Sequence, residues 1–419
     1  MSQINNSELQ TPNSALPPGW RWVRLGEVLE DALPGFACGK RAGLEGYIQL
    51  RMNNISSNGQ LNLSSLLRVP ATQKQVEKYR LKPGDVIFNN TNSVELVGKT
   101  TLFSKENDLF LYSNHLTRLR PVSGVLDSVY LAAWLQLLWY QRVFELTCNR
   151  WIGQAAVQRG KLLQFEIPLP PLPEQKRIAA KLQGLMQEVQ RARTACEKQL
   201  EAAKALPAAY LRQVFESEEV KKWERKMLGD DKFFTIMPSG IDYFDGTKEY
   251  LSTNSIQKDK IIHIEARITY TRRPSRANMQ PEFNSVWFAK MKNTIKVYAF
   301  TKENKIETEK IILSTGFAGI LCKDGVLPEY LKQLFLNYLD FNKAKDELAS
   351  GATQQAVNNE SIKSISIPLP SIDEQRRIAS DLKERMAEVE KLCTSIEKQL
   401  EAVDALPQAI LRKAFRGEL

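Results

Sequence analysis

The chain has 419 residues, of which 43% are hydrophobic and 25% are charged, and its formal net charge is +10. This length predicts two to three domains with ordinary apolar cores, and the excess of basic residues favours a polyanionic partner. The five cysteines are odd in number and contain no C-x-x-C pair, which argues against a zinc or disulfide framework and is typical of reduced thiols in a cytosolic protein.

The N-terminal part of the chain predicts a short disordered tail followed by a mixed α/β domain. Residues 1–15 are polar and lack the apolar core of a signal peptide. Tyr47–Ile55 predicts a strand that ends in an Asn-rich loop, and Lys82–Phe88 predicts a turn into a buried strand. The most apolar stretch, residues 129–144, contains two glutamines and an arginine, so it predicts a buried helix rather than a membrane span.

A proline-rich segment leads out of this domain into a long helix. Ile167–Ile178 reads Ile-Pro-Leu-Pro-Pro-Leu-Pro-Glu-Gln-Lys-Arg-Ile. Proline lacks the backbone N–H that a helix interior needs, so the first part of the segment predicts an extended exit. Apolar residues then recur at helical spacing as far as Phe215, and we expect the Ala-Leu-Pro at Pro207 to break that helix before a short amphipathic piece.

The same segment recurs 200 residues later. Ile367–Ile378 repeats the motif, and the match continues without a gap, so that Glu397–Ala402 repeats Glu197–Ala202 and a second Ala-Leu-Pro ends at Pro407. Landmarks of the globular part also recur, whereas the polar loops between them differ. The sequence therefore predicts an internal duplication.

Each predicted long helix carries an apolar heptad seam. Such a seam indicates packing along another helix; the two copies most simply pack on each other, and helices of a partner protein are the alternative. Arg193 interrupts the second seam position of the first copy. The predicted packing residues are Leu182, Val189, Cys196 and Ala203 in the first helix and Leu382, Val389, Ile396 and Val403 in the second.

The sequence carries little that points to catalysis. Its two histidines, His115 and His263, lie in different halves, which argues against a His-based triad or a His-rich metal site. Gly35–Arg41 is one residue short of a phosphate-binding loop. Asp85 and Glu95 suit a nuclease-like set, but such matches are common among 48 acidic residues. We therefore expect no catalytic residues, no metal and no cofactor on this chain.

Polar and basic loops remain as the candidate functional surface. Asn and Gln amides pair with adenine and Arg and Lys pair with guanine in the major groove of DNA, although lysines such as Lys99, Lys290 and Lys292 can also contact phosphates alone. For any single residue a solvated surface position is the alternative. The candidates are Arg51, Asn53, Asn54, Asn89, Asn90, Thr91, Asn92, Lys99, Asn114, Arg150 and Gln154 in the first half, and Thr253, Asn254, Arg272, Arg273, Arg276, Lys290, Lys292, Thr315 and Gln354 in the second.

The repeated proline-rich motif resembles the specificity subunits of type I restriction–modification enzymes. So do the C-terminal segment Ala405–Leu419, the Gly84–Phe88 stretch and Val97-Gly-Lys99. The resemblance covers essentially the whole chain after about residue 16. The second half departs from it, because no Gly-Asp precedes Val286 and no Val-Gly-Lys is evident there.

This resemblance implies a fold, a function and partners. The function is recognition of a bipartite, asymmetric double-stranded DNA target in the cytoplasm. The partners are two methyltransferase (modification) subunits, which use S-adenosylmethionine, and two motor-nuclease (restriction) subunits, which use ATP and Mg²⁺. Two other classes stay open at this point: a self-contained DNA-acting enzyme, and a helical scaffold without DNA specificity.

The predicted fold is α+β, with two similar mixed α/β target-recognition domains separated by two long antiparallel coiled-coil helices in a pseudo-two-fold duplication. A helix over residues 174–206 is roughly 50 Å long at 1.5 Å per residue, long enough to separate two DNA-binding domains. The predicted boundaries are a disordered tail at 1–15, recognition domains at 16–170 and 216–370, and helical spacers at 171–215 and 371–419.

Overall fold

The computed structural model describes residues 16–38, 45–106, 109–351 and 355–419. It divides into two compact units, one formed by Met1–Lys198 with Glu397–Leu419 and the other by Gln199–Ile396. The division falls inside both long helices, so each unit contains the start of one helix and the end of the other.

The described part of the first unit contains twelve strands and five helices. The strands are β1 (Arg21–Arg24), β2 (Leu29–Pro34), β3 (Tyr47–Leu50), β4 (Leu67–Val69), β5 (Val86–Asn89), β6 (Thr91–Asn92), β7 (Thr100–Leu102), β8 (Phe110–Tyr112), β9 (Leu116–Pro121), β10 (Asn149–Trp151), β11 (Gln154–Ala156) and β12 (Glu166–Leu169). The helices are α1 (Gln73–Tyr79), α2 (Ser128–Tyr140), α3 (Val143–Thr147), α4 (Arg159–Leu162) and α5 (Leu172–Phe215), which continues into the second unit.

Two larger sheets form the centre of the first unit. One has the order β2-β9-β5-β7 and is antiparallel, and the other has the order β4-β3-β8 with β3 and β8 parallel. Every residue of β5 is buried, as expected of a continuous apolar run in the middle of a sheet. Helix α2 begins after the cap Asp127 and packs its apolar side chains into the same core as β5.

The second unit repeats this arrangement. Its described strands are β13 (Arg225–Met227), β14 (Phe234–Ile236), β15 (Lys248–Leu251), β16 (Ile256–Gln257), β17 (Lys260–Ile261), β18 (Ala266–Ile268), β19 (Ala277–Met279), β20 (Ser285–Ala289), β21 (Val297–Phe300), β22 (Ile311–Ser314), β23 (Phe317–Cys322) and β24 (Ser366–Pro368). Its helices are α6 (Glu218–Lys222), α7 (Glu307–Lys310), α8 (Pro328–Asn337), α9 (Leu339–Glu347), α10 (Asn359–Lys363) and α11 (Ile372–Phe415), which ends in the first unit.

The sheet topology confirms the predicted duplication and fold class. The order β14-β23-β20-β21 matches β2-β9-β5-β7, and β15 pairs in parallel with β22 as β3 does with β8. The β1–β12 pair of the first unit corresponds to β13–β24 in the second. Both pairs contain the Ile-Pro that was predicted to be an extended exit.

A buried glutamine fixes the start of each long helix to its globular domain. Gln175 is fully buried and donates to the carbonyl oxygens of Val125 and Pro170 at 3.0 and 2.9 Å, while it accepts from the N–H of Asp127 at 2.9 Å. The side chain has no remaining freedom, because three backbone groups from two segments hold it. The helix therefore leaves the domain in a fixed direction.

Gln375 repeats this arrangement in the second unit. It donates to Gly325 and Pro370, both at 2.9 Å, and accepts from Leu327 at 2.8 Å. A tyrosine hydroxyl adds a further matching bond in each unit, from Tyr130 to Pro168 and from Tyr330 to Pro368. The Glu-Gln of the repeated motif is thus part of a domain–helix joint.

The two long helices run antiparallel within each unit. In the first unit Arg177 donates to the carbonyl oxygen of Leu419 at 2.7 Å, and Arg193 pairs with Asp404 at 3.4 Å. As numbers rise along one helix they fall along the other. In the second unit the guanidinium of Arg385 lies 4.9 Å from the ring centroid of Tyr210. The predicted seam residues are all buried or half-buried, which agrees with helix–helix packing.

The predicted helix breaks at Pro207 and Pro407 are wrong. Each helix spans 44 residues and continues through its proline to Phe215 or Phe415. A proline inside a helix loses one hydrogen bond and costs about 3 kcal/mol. Here the residues beyond it are anchored, because Phe415 lies 4.9 Å from the rings of both Tyr130 and Trp134 in the first core. That burial offsets the cost.

Candidate nucleic-acid interface

Two hairpins occupy equivalent positions in the units and contain several predicted contact residues. In the first unit the N–H of Asn89 donates to the carbonyl oxygen of Lys99 at 2.8 Å, and in the second Ala289 donates to Lys296 at 2.9 Å. The partner lies ten positions later in the first hairpin (89 to 99) and seven later in the second (289 to 296). The second hairpin is therefore three residues shorter than the first. This explains why no Val-Gly-Lys stands 200 positions after Val97-Gly-Lys99.

The two lysines at those positions brace a neighbouring loop. Lys99 is 7% exposed, and its ammonium donates to the carbonyl oxygens of Ile55 and, at 3.4 Å, Met52. Lys296 donates to the carbonyl oxygen of Thr253 at 2.6 Å. Burial lowers the pKa of Lys99, because the charged form loses its hydration. We therefore revise the prediction that Lys99 contacts DNA. Lys296, the counterpart of Lys99, was not identified from the sequence as a functional or supporting residue.

The braced loops are single 3-10 turns, Met52–Asn54 and Thr253–Ser255, and each exposes one amide side chain at its centre. Asn53 and Asn254 are these central residues, and both are exposed. Thr253 itself is half-buried. The two predicted amides thus occupy matching, accessible positions in the two units.

Three other predicted residues of the first unit are used internally. Asn54 donates to the carbonyl oxygens of Asn62 and Ser65, and Asn89 is fully buried and donates to the carbonyl oxygens of Thr91 and His115. Arg51 is half-buried and donates to the sulfur of Cys38 at 3.3 Å. An amide with all its partners inside the protein has no groups left for a base. We therefore revise the assignment of Asn54 and Asn89 as base readers.

A small three-stranded sheet collects the remaining candidates of the first unit. Its order is β10-β11-β6, and its register places Arg150, Ala155 and Asn92 side by side. Arg150 and Gln154 are exposed, and Thr91 and Asn92 are half-buried. Asn90, next to β6, is half-buried and donates to the carbonyl oxygen of the exposed Asn114 at 3.2 Å.

The corresponding loop of the second unit is basic. Met291 pairs with Ala356, as Thr91 pairs with Ala156 in the first unit. Lys290 and Lys292 flank Met291; Lys292 is exposed, whereas Lys290 is half-buried and burial lowers its pKa. The predicted Gln354 lies outside the described residues, as do Gly39, Lys40 and Arg41 of the tested phosphate-loop pattern.

A third lysine, which sequence reasoning missed, holds this basic loop. Lys345 is 1% exposed, and its ammonium donates to the carbonyl oxygens of Met291 and Thr294 at 3.1 and 2.7 Å. Burial lowers its pKa, and Asp346 beside it opposes that shift. The only indication in the sequence was a lysine on the face of α9 that becomes buried. Lys345 supports the basic loop and is too buried to contact DNA itself.

A loop of arginines and aromatic rings forms a second basic surface on this unit. In this arginine loop, residues 269–276, the guanidinium of Arg273 lies 4.2 Å from the ring centroid of Tyr270. The ring of Tyr243, a residue that is 69% exposed, lies 5.2 Å from that of Tyr270. Arg272 and Arg276 are exposed. The half-buried Thr315 donates its backbone N–H to the carbonyl of Arg276 at 2.8 Å.

Comparison with known proteins identifies the family. The model of the type I restriction modification DNA specificity domain matches the chain twice, over residues 17–201 and 214–403. The chain belongs to this type I specificity family.

Curated relatives agree with this assignment, and solved structures share the fold. The chain is 25% identical to the MjaX specificity subunit of Methanocaldococcus jannaschii, over 98% of this chain and 96% of that one, and 22% identical to the EcoKI specificity subunit of Escherichia coli, over 96% and 90%. A chain from a study of complex assembly of the type I R-M system shares the fold with a TM-score of 0.67, 24% identity and coverage of 97% and 100%. The HsdS subunit from Thermoanaerobacter tengcongensis shares the fold with a TM-score of 0.63 and 21% sequence identity, over 97% of this chain and 99% of that one.

Asp85 and Glu95 do not form a shared acidic site. Asp85 is buried and forms two hydrogen bonds to Arg120 at 2.7 and 2.8 Å. Glu95 is exposed, and hydrogen bonds to its own backbone and to Ser93 lower its pKa. Across residues 16–38, 45–106, 109–351 and 355–419, no three His, Cys, Asp or Glu side chains form a group suited to a metal ion. Within the same ranges, no helix combines the length and apolar character that a membrane crossing requires.

Proposed function

We propose that this chain is the subunit that specifies the DNA target of a type I restriction–modification complex, with one half-site read by each unit. One observation carries the proposal: the two units share one framework, yet present unlike side chains at equivalent loops. The loop is Asn90-Thr91-Asn92 in the first unit and Lys290-Met291-Lys292 in the second. A bipartite and asymmetric double-stranded target follows from such a difference.

The accessible groups suit both kinds of DNA contact. The amides of Asn53, Asn254 and Gln154 are exposed and match the paired donor and acceptor of an adenine edge in the major groove. Lys292 and Arg272 are exposed cations that suit phosphate oxygens, which position a protein without specifying sequence. The buried lysines Lys99 and Lys345 and the half-buried Lys296 keep these loops in place.

We propose further that the long helices set the distance between the half-sites. Gln175 and Gln375 fix where each helix leaves its domain. The end of the opposite helix is also anchored in the same core, through Phe415 in the first unit and Phe215 in the second. Two anchored helices of equal length make a suitable ruler, because a helix rises about 1.5 Å per residue.

The partners and cofactors belong to the same proposal. Two methyltransferase subunits that use S-adenosylmethionine, and two motor-nuclease subunits that use ATP and Mg²⁺, supply the chemistry in the cytoplasm, while this chain contributes specificity and no catalysis. The names of its relatives as specificity subunits support this division of labour.

Single-molecule sequencing of methylated DNA tests the proposal. The chain is co-expressed with its methyltransferase subunit in a host without endogenous methylation, and the subunit expressed alone serves as the control. We expect one motif with two unlike half-sites and a fixed spacer, present only when the chain is present. Methylation by the purified chain alone, or a motif independent of the chain, contradicts the proposal.

A further inference from the structure

The β10–β11 hairpin of the first unit carries an apolar tip. Trp151 pairs with Gln154, so Ile152 and Gly153 form the turn, and Gly153 has a φ of +76° that suits glycine. The Ile152 side chain is fully exposed and Trp151 is 59% exposed. These two neighbouring exposed apolar side chains form a small apolar surface at the end of the hairpin, and we treat it as a candidate contact surface.

The base of the hairpin is fixed. Ala155 and Val157 are buried in the core of the unit, and β11 also pairs with β6. On the other strand, Arg150 donates to the carbonyl oxygen of Glu145 at 2.9 Å. The tip is therefore held out from a rigid support.

The side chains around the tip favour DNA over protein. Successive residues of a strand point to opposite faces, so Asn149, Trp151 and Gln154 share the face opposite the buried Ala155. Asn149, Arg150 and Gln154 flank the tip on its two strands, and all three are exposed. Amide and guanidinium groups pair with base edges in the major groove, so these neighbours of the tip favour DNA.

A two-stranded ribbon of this kind fits the major groove of B-DNA. There the only apolar group on a base edge is the C5-methyl of thymine, which apolar side chains contact. We propose that the β10–β11 hairpin enters the major groove of the first half-site, where Ile152 contacts the methyl group of a thymine. This inference rests on the proposed function and adds a specificity-determining residue to it.

Replacement of thymine by deoxyuridine removes the methyl group and no hydrogen-bonding group. The full chain in complex with its methyltransferase subunit is titrated with duplexes in which each thymine of the methylated motif is replaced in turn. Burial of one methyl-sized group contributes about 0.8 kcal/mol, which corresponds to about a fourfold change in Kd. For the wild-type chain we expect one thymine of the first half-site to show this loss.

Ile152→Ala is the test variant, and Ile306→Ala is its control, because Ile306 is 70% exposed on the other unit. Ile152→Ala should bind thymine and deoxyuridine duplexes equally, while Ile306→Ala should keep the fourfold ratio. The inference is overturned if no thymine of the first half-site shows the loss, or if Ile152→Ala retains it. If Ile152→Ala keeps the fourfold ratio of Kd values but no longer binds the methyltransferase subunit, the tip contacts that protein and not DNA.

The same experiment separates the two levels of the proposal. A wild-type complex that prefers its motif but ignores the thymine methyl contradicts the hairpin inference alone. A wild-type complex with no preference for any motif contradicts the proposed function itself.

Discussion

The two units agree in their supports and differ in what those supports present. Gln175 and Gln375 form matching sets of hydrogen bonds, and Lys99 and Lys296 brace matching turns although they stand 197 positions apart. The loops between these supports differ in length, charge and exposure. The comparison teaches that this duplicated chain holds its framework through buried polar contacts while its exposed loops vary independently.

The largest expected effect concerns the anchors that each unit takes from the far end of a long helix. Phe215 and Phe415 are 2% and 7% exposed, and truncation of a buried phenylalanine costs about 3–5 kcal/mol. Phe415→Ala should lower the unfolding temperature of the first unit and Phe215→Ala that of the second. Scanning calorimetry with hydrogen exchange resolved by unit measures this.

The control for the anchors is Leu406→Ala, since Leu406 is 43% exposed on α11. It should cost less than about 1 kcal/mol, as surface substitutions usually do. If Phe415→Ala instead destabilises only the second unit, the exchange of helix ends between the units is wrong.

The next effect concerns the domain–helix joint. Gln175→Leu and Gln375→Leu each leave three backbone groups without a partner, at about 1–3 kcal/mol for a buried unsatisfied group. We expect losses of at least about 2 kcal/mol in the free energy of unfolding, similar for the two variants, by denaturant titration. Gln187→Leu on the exposed face of α5 is the matched control. If one variant loses much of its free energy of unfolding and the other loses none, the two joints are not equivalent.

A helix insertion tests whether the two joints and anchors act together as a ruler. Four residues inserted after both Lys198 and Lys398 add about 6 Å to each helix and nearly one full turn. One base pair rises about 3.4 Å, so the methylated motif should keep both half-sites and gain one or two base pairs in its spacer. Motif sequencing measures the change. A folded, active variant with the original spacer shows that the helices are not the ruler.

A smaller effect distinguishes the loops themselves. Lys292→Ala should weaken binding severalfold and reduce the slope of log K against log salt by about one, as expected for one phosphate contact. Asn92→Ala, at the equivalent loop of the first unit, should leave the salt slope unchanged. Fluorescence titrations at several salt concentrations measure both. If the two variants have equal slopes of log K against log salt, Lys292 does not contact a phosphate.

Much of the framework was predictable from the sequence. The duplication, the extended Ile-Pro exits and the antiparallel long helices follow from the repeat, from proline chemistry and from heptad spacing. The continuation of the helices through Pro207 and Pro407 did not follow, because the compensating burial of Phe215 and Phe415 is a tertiary contact. Local rules cannot register contacts such as Phe415 with Tyr130 or Phe215 with Tyr330, whose residues are more than 100 positions apart.

The candidate site was less predictable, for two physical reasons. An amide such as Asn54 or Asn89 looks the same in sequence as the exposed Asn53, and only the fold decides whether its partners are backbone groups or solvent. Lys296 was missed because the second hairpin is three residues shorter, so a search at constant offset passes over it. Lys345 has no local motif, since its carbonyl partners are more than 50 positions away.

Exchange of one globular domain tests the central claim most directly. Residues 16–166 are replaced by the corresponding segment of a relative with a different target, and the motif methylated with the partner subunit is read by single-molecule sequencing. The account predicts that one half-site changes to that of the donor, while the other half-site and the spacer stay the same. A change in both half-sites, or in neither, would contradict the reading of one half-site by each unit.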